Sequence, residues 1–228
     1  MVGSTSSHSL PNVAVLASGR GSNLAALLAA RERGDLAARF VLVGSDKATA
    51  PALRLAEAAG VPTVALDPRG YPDRGSFDVD LLQRVTDSGA QWLVLAGYMR
   101  VLDADALRPW VGRTINIHPS LLPKYRGLHT HRRVLEAGDS EHGASVHFVT
   151  ADLDGGPVIA QARIHVEPGD SEDTLAERLL PLEHQLLPAV LDLLVRGRLQ
   201  WVDDKPCFEG ATLHNPLLLG AGGLRAAR

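Results

Sequence analysis

Cysteine is almost missing from this chain: Cys207 is the only one in 228 residues. That excludes an intrachain disulfide and any cysteine-based zinc site, and it fits a reducing, cytoplasmic setting. Cys207 itself reads as an inert or buried thiol rather than a reactive one. Long hydrophobic runs are missing too, since none approaches the ~20 residues that span a bilayer. Residues 1–10 (MVGSTSSHSL) lack a charged stretch followed by an apolar one, so they are not read as a secretion signal. Neither sign of charge dominates, because 23 basic and 26 acidic residues leave a formal net charge of −3. The balance speaks against a nucleic-acid partner or a membrane surface, and leaves small molecules as the expected partners. Two catalytic signatures are also absent. There is no His-Glu-x-x-His, so His129, His131, His142 and His147 are not read as metal ligands and no metal is expected. There is no Gly-x-Ser-x-Gly elbow, which speaks against a serine hydrolase.

What is present is enough apolar residue, 45% of the chain, for a sizeable core. Short apolar runs at Val13–Ala17, Phe40–Gly44, Val61–Leu66 and Trp92–Ala96 read as strands, and Thr114–His118 as a fifth. Between them, Leu24–Arg33, Ala52–Ala59, Phe77–Ser88 and Ala104–Trp110 read as helices, the first three stopped by Gly34, Gly60 and Gly89. Residues 67–76 (DPRGYPDRGS) read as a loop. Strand–helix alternation with short connections predicts an α/β fold, a single domain with a doubly wound, mostly parallel, Rossmann-like sheet. The pattern then changes. Ala144–Thr150 and Pro157–Val166 alternate around a Gly-containing loop, which predicts an antiparallel hairpin. Asp170 or Ser171 caps a long helix reaching about Arg196, and Leu199–Val202 is a candidate edge strand. The expected division is a flexible tail over 1–11, a domain over 12–202 and an extension over 203–228. Residues 210–228 are expected to be a flexible tail, with local packing of Leu217, Leu218 and Leu219 as the alternative.

Three motifs carry chemistry. In Ile115-Asn116-Ile117-His118-Pro119 the side chains alternate, so Asn116 and His118 share one face of a strand end and Pro119 stops the ladder. Ligands bind at the carboxyl ends of strands in open α/β sheets, and an amide beside an imidazole there suits chemistry on a carbonyl. The turn Ser18-Gly19-Arg20-Gly21-Ser22-Asn23 precedes the first helix, where free N–H groups and the helix dipole favour an anion. Leu24 occupies the third glycine position of a dinucleotide fingerprint, so a single phosphate on Gly21, Ser22 and Asn23 is one reading and an ordinary tight turn the other. Asp154, followed by Gly155 and Gly156, projects from the hairpin. It either caps its own turn or approaches His118, where it would favour the imidazolium and raise its pKa. Arg69 and Arg74 in loop 67–76 and the stretch Met99-Arg100-Val101-Leu102 stand near the sheet edge, as ligand contacts or as solvated and core residues.

Taken together, Ser18–Leu24, Asn116-Ile117-His118-Pro119-Ser120-Leu121-Leu122-Pro123 and Asp152-Leu153-Asp154-Gly155-Gly156-Pro157 resemble the phosphoribosylglycinamide formyltransferase family. Leu128-His129-Thr130-His131-Arg132 and Glu141-His142-Gly143 resemble its bacterial branch. The resemblance runs from about residue 12 to 202. It implies transfer of the formyl group of 10-formyltetrahydrofolate, a cosubstrate, to the amine of glycinamide ribonucleotide in de novo purine synthesis, by direct attack through a tetrahedral intermediate. It implies that Gly21, Ser22 and Asn23 hold the substrate phosphate and that Glu183 meets the glycinamide end. Arg74, Met99, Arg100, Val101, Leu102 and Asn116 would bind the folate. Asn116, His118 and Asp154 would be catalytic, with His118 as general acid. A monomer or homodimer is implied. Leu180 departs from the family, where this position is usually polar.

Three other readings share parts of the pattern. A methionyl-tRNA formyltransferase carries a similar His-Pro-Ser-Leu-Leu-Pro-x-Tyr-Arg-Gly run, but only about 30 residues follow the last helix here, without a basic cluster for tRNA. A formyltetrahydrofolate hydrolase would direct the same three side chains at water. In a phosphate-binding module, His118 would be structural. The loop 121–131 is expected to move when folate binds.

Overall fold

The computed structural model describes residues 10–226, so the expected tail over 1–11 lies almost wholly outside the described residues. The chain opens with β1 (Asn12–Leu16), α1 (Ser22–Arg33), β2 (Arg39–Ser45), α2 (Pro51–Ala58) and β3 (Thr63–Ala65). Then come α3 (Arg74–Asp87), β4 (Trp92–Leu95), α4 (Ala104–Leu107) and β5 (Thr114–His118). The second part holds α5 (Thr130–Ala137), β6 (Glu141–Phe148), β7 (Val158–His165) and α6 (Glu172–Val195). Five short strands finish it: β8 (Leu199–Val202), β9 (Lys205–Phe208), β10 (Ala211–Thr212), β11 (Leu217–Gly220) and β12 (Gly223–Arg225). No helix among the described residues is long and apolar enough to cross a membrane.

The main sheet has nine strands in the order β12-β11-β7-β6-β5-β4-β1-β2-β3. From β3 to β5 every pairing is parallel. Chain order reverses between β1 and β4, and this switch point opens a crevice beyond their carboxyl ends. β6 then runs antiparallel to β5, and β7 antiparallel to β6, as the alternating pattern predicts. Period-two alternation builds two cores. Val13 and Val15 of β1 face one apolar layer with Leu24 and Leu27 of α1 and Leu186 and Leu187 of α6. Ala14 and Leu16 face the other, with Phe77 and Leu81 of α3 and Leu107 of α4. Ile115 and Ile117 belong to the first layer, so Asn116 and His118 point to the opposite face.

Three local expectations are corrected. Residues 74–76 are helix rather than loop, because the Asp73 side chain accepts the Ser76 N–H at 2.7 Å and caps α3, which starts three residues before Phe77. β8 forms, but in a separate three-stranded sheet with β9 and β10. The segment 210–226 is no tail, because β11 pairs in parallel with β7 and buries Leu217 completely. Leu217–Leu219 do pack, but on the main sheet rather than locally, and β12 folds back antiparallel on β11. α5 is the helix expected beyond loop 121–131, and it begins at Thr130. The cap of α6 is as expected: Ser171 accepts the Thr174 N–H, and Thr174 reciprocates.

Candidate active site

The site is assembled by the register of β5 on β6. Asn116 stands opposite His147, and His118 opposite Ser145. Cross-strand neighbours of an antiparallel pair lie close enough for side chains to touch. The Asn116 Nδ2 is 3.1 Å from His147 Nε2. Asp154 reaches them from the β6–β7 connection, where its φ of +45° suits an aspartate better than most residues. A side chain at Gly156 would run into the Phe148 carbonyl, so the backbone can pass there only as glycine. Asp154 Oδ2 lies 3.4 Å from His118 Nδ1 and accepts the Gly127 N–H at 2.9 Å. Its Oδ1 lies 3.4 Å from Asn116 Nδ2 and 3.5 Å from His147 Nε2.

Carbonyl partners fix where the ring hydrogens sit. His118 Nε2 faces the Tyr125 carbonyl at 2.9 Å, and His147 Nδ1 faces the Phe148 carbonyl at 2.9 Å. A carbonyl only accepts, so both nitrogens carry hydrogen. His147 Nε2 is then a lone pair that accepts one Asn116 amide hydrogen. The second amide hydrogen has only the long 3.4 Å contact to Asp154, and it is the one a bound carbonyl would take. In neutral His118, the Nδ1 lone pair would face a carboxylate, so the His118–Asp154 contact is attractive only when the two share a proton.

Burial works against that proton. His118 sits below the usual imidazole range because desolvation outweighs the Tyr125 carbonyl and Asp154, both of which raise it. The expectation of a raised His118 pKa is thus corrected: Asp154 pushes in the foreseen direction, but the 8% exposure of the ring decides the sign. Asp154 is itself held below the ordinary carboxylate value. Burial alone would raise it, but His147 in its protonated form, the His118 charge and the Gly127 N–H together overcome that.

The phosphate-type turn lies at the carboxyl end of β1. Gly21 precedes α1 with φ +78° and supplies no side-chain cap, which leaves the first N–H groups of the helix for an outside acceptor. A Cβ on Gly21 would meet the Ala52 Cβ at 2.8 Å. Ser22 opens the helix half-buried. Asn23 turns inward instead, and its Nδ2 donates to Glu183 Oε2 at 2.9 Å across the α1–α6 contact. Burial raises the Glu183 carboxyl, opposed only by that bond. Sequence had placed Asn23 and Glu183 on one substrate, and the fold joins them directly.

The other expected residues form the rim. In the segment after β4, Met99 and Val101 are outward, at 61% and 41% exposure, while Leu102 is buried and Arg100 stacks its guanidinium 4.8 Å from the Phe77 ring centre. Arg74 opens α3, 3.8 Å from Asp103 Oδ2. His147 was missed as a member of the site. Its signal was available: over residues 144–148, Ser145 and His147 are the polar alternates between Ala144, Val146 and Phe148, which are apolar and buried. His131 and His142 join each other instead, Nδ1 to Nε2 at 2.9 Å. Among the described residues, no three His, Cys, Asp or Glu side chains are grouped to hold a metal ion.

Residues 11–191 match the formyl transferase family, to which this chain belongs. Among its relatives, the phosphoribosylglycinamide formyltransferase of Escherichia coli (strain K12) is 44% identical over 202 residues, covering 89% of this chain and 95% of that protein. The phosphoribosylglycinamide formyltransferase structure from Coxiella burnetii superposes with a TM-score of 0.85 at 42% identity, over 89% of this chain and 95% of that one. Glycinamide ribonucleotide transformylase 1 from Symbiobacterium toebii gives 0.85 at 39% identity, over 88% and 95%. The chain is an enzyme of the formyltransferase class.

Proposed function

We propose that this formyltransferase moves the formyl group of 10-formyltetrahydrofolate to the amine of glycinamide ribonucleotide, yielding formylglycinamide ribonucleotide and tetrahydrofolate in de novo purine biosynthesis. The observation that carries the residue roles is the His118–Asp154 contact beside Asn116, one crevice away from an uncapped helix N-terminus. The amine attacks the formyl carbon directly and a tetrahedral intermediate forms. Its oxygen gains negative charge, and the free Asn116 amide hydrogen is aimed to meet it. A preorganised donor of this kind contributes about 3 kcal/mol to such a step. His118 shares a proton with Asp154 and delivers it toward the leaving folate nitrogen as general acid, directly or through one water. Its Nε2–H is held by the Tyr125 carbonyl, so delivery from that nitrogen requires loop 121–131 to yield as folate binds.

In the same reading, Gly21 and Ser22 offer backbone N–H groups to the substrate phosphate. Asn23 orients Glu183 toward the glycinamide end. Arg74, Met99 and Val101 meet the folate, with Arg100 and Leu102 anchoring their segment. Residues 12–202 carry both substrate sites, and 203–228 extend them. The setting is cytoplasmic, with small molecules as partners and a monomer or homodimer as the working form.

One assay tests the reaction. Loss of formyl from 10-formyltetrahydrofolate is followed with and without glycinamide ribonucleotide. The expected result is turnover that requires the amine. Equal turnover without it would make water the acceptor and the chain a hydrolase. No turnover, with a phosphate ligand still bound, would leave a binding module.

A further inference from the structure

The segment Met99–Leu102 is held at both ends by different parts of the fold. At its start, the Met99 N–H donates to Ser18 Oγ at 2.9 Å, which ties it to the phosphate-type turn. At its end, three residues of α3 receive it. Arg74, Phe77 and Asp78 stand at i, i+3 and i+4, so they share one helix face. Arg74 pairs with Asp103 at 3.8 Å, Phe77 carries the Arg100 guanidinium at 4.8 Å, and Asp78 Oδ2 accepts the Asp103 N–H at 2.7 Å.

Of these, Asp78 is the one that packing does not explain. It is 0% exposed, whereas the Arg74 side chain is 54% exposed. A buried carboxylate is costly, and an apolar side chain of similar size would join α3 to the sheet at least as well. Burial raises its carboxyl; the Asp103 N–H, Arg100 and Arg74 oppose that rise without cancelling it, and the Asp103 carboxylate adds to it. Asp78 Oδ1, Arg100 Nε and the Tyr98 hydroxyl are all buried without a partner, so a polar floor lies beneath the segment.

We propose that Asp78 is a positioning residue for the formyl donor: by holding the Asp103 N–H through a buried carboxylate oxygen, it fixes the backbone that presents Met99 and Val101 to the folate. The inference rests on the reading that Met99–Leu102 binds folate. The inner residues of the segment anchor it and the outer ones touch ligand. Because the Ser18 anchor serves the phosphate side, loss of Asp78 acts on the folate side alone.

The test is Asp78→Asn, which keeps size and an acceptor for the Asp103 N–H but removes the charge. Steady-state kinetics are measured against both substrates, with Met99→Ala alongside. The expected result is a folate KM raised about fivefold or more, with the glycinamide ribonucleotide KM unchanged. An unchanged folate KM in Asp78→Asn, while Met99→Ala raises it, overturns the inference and leaves the folate reading standing. If Met99→Ala also changes nothing, the folate reading itself falls and the inference with it. A rise in both KM values would mark a general structural role and also overturn it. Should Asp78→Asn fail to fold, Asp78→Ser, with a small hydroxyl for the same N–H, carries the test with the same outcomes.

Discussion

The two halves of the sheet serve the site by different means. From β3 to β4 the strands are parallel, and the groups proposed there for the substrate phosphate are backbone: the uncapped N–H groups of α1, beyond β1. From β5 to β7 the strands are antiparallel, and the proposed catalytic groups are side chains, with Asn116 opposite His147 and Asp154 reaching in from the connection. A parallel half needs room for the chain, so glycine is its critical residue. An antiparallel half needs groups of the right charge, so burial and proton sharing are its critical variables.

The largest effects should come from the antiparallel half. His118→Ala removes the proposed acid and should lower kcat on the order of 100-fold to 10,000-fold in a folded protein. Asp154→Asn keeps an acceptor for the Gly127 N–H but ends proton sharing with His118, and should cost about 100-fold. Near-normal kcat in either variant would remove the acid role. The parallel half should answer differently. Gly21→Ala forces a side chain into φ +78° and against Ala52. It should destabilise by about 2 kcal/mol, read by denaturant unfolding, and raise the glycinamide ribonucleotide KM more than it lowers kcat. If Gly21→Ala instead lowered kcat with both KM values intact, the division between the halves would fail.

The same division explains what could be read from sequence. Asn116 and His118 are legible because strand alternation is a local property and Pro119 marks its end. Their partner His147 is thirty-one positions away, and the β5–β6 register that brings it opposite Asn116 is not a local property at all. The parallel half was legible almost strand by strand, since each glycine stop falls at its helix end. α3 was started late because Pro, Gly and charge in 67–76 hid the Asp73 cap. α5 is the least legible helix because it is only eight residues long and buries only Thr130 and Val134. The net direction of the His118 shift was misjudged because a nearby carboxylate can be guessed from sequence but the depth of burial cannot.

The smallest effect concerns stability, and it probes burial in the antiparallel half outside the reacting groups. His142, on β6, is fully enclosed, and desolvation with the neighbouring His131 brings it down to about 4. Between that value and the ordinary 6.5, the unfolded chain binds a proton that the folded chain refuses, so stability rises with pH through this window and is lost as pH falls through it. His118, His131 and His184 are lowered as well and add slopes of the same sign. Glu183 and Asp78, raised by burial, contribute the opposite slope. Only a difference between proteins therefore isolates His142. His142→Gln keeps one hydrogen-bonding contact toward His131 but cannot charge. The unfolding midpoint of the wild-type chain should fall from pH 7 to pH 5 by on the order of 3 °C more than that of the variant. Parallel falls in the two proteins would mean that His142 takes up its proton without opening the fold, and that burial in this half is softer than its packing indicates.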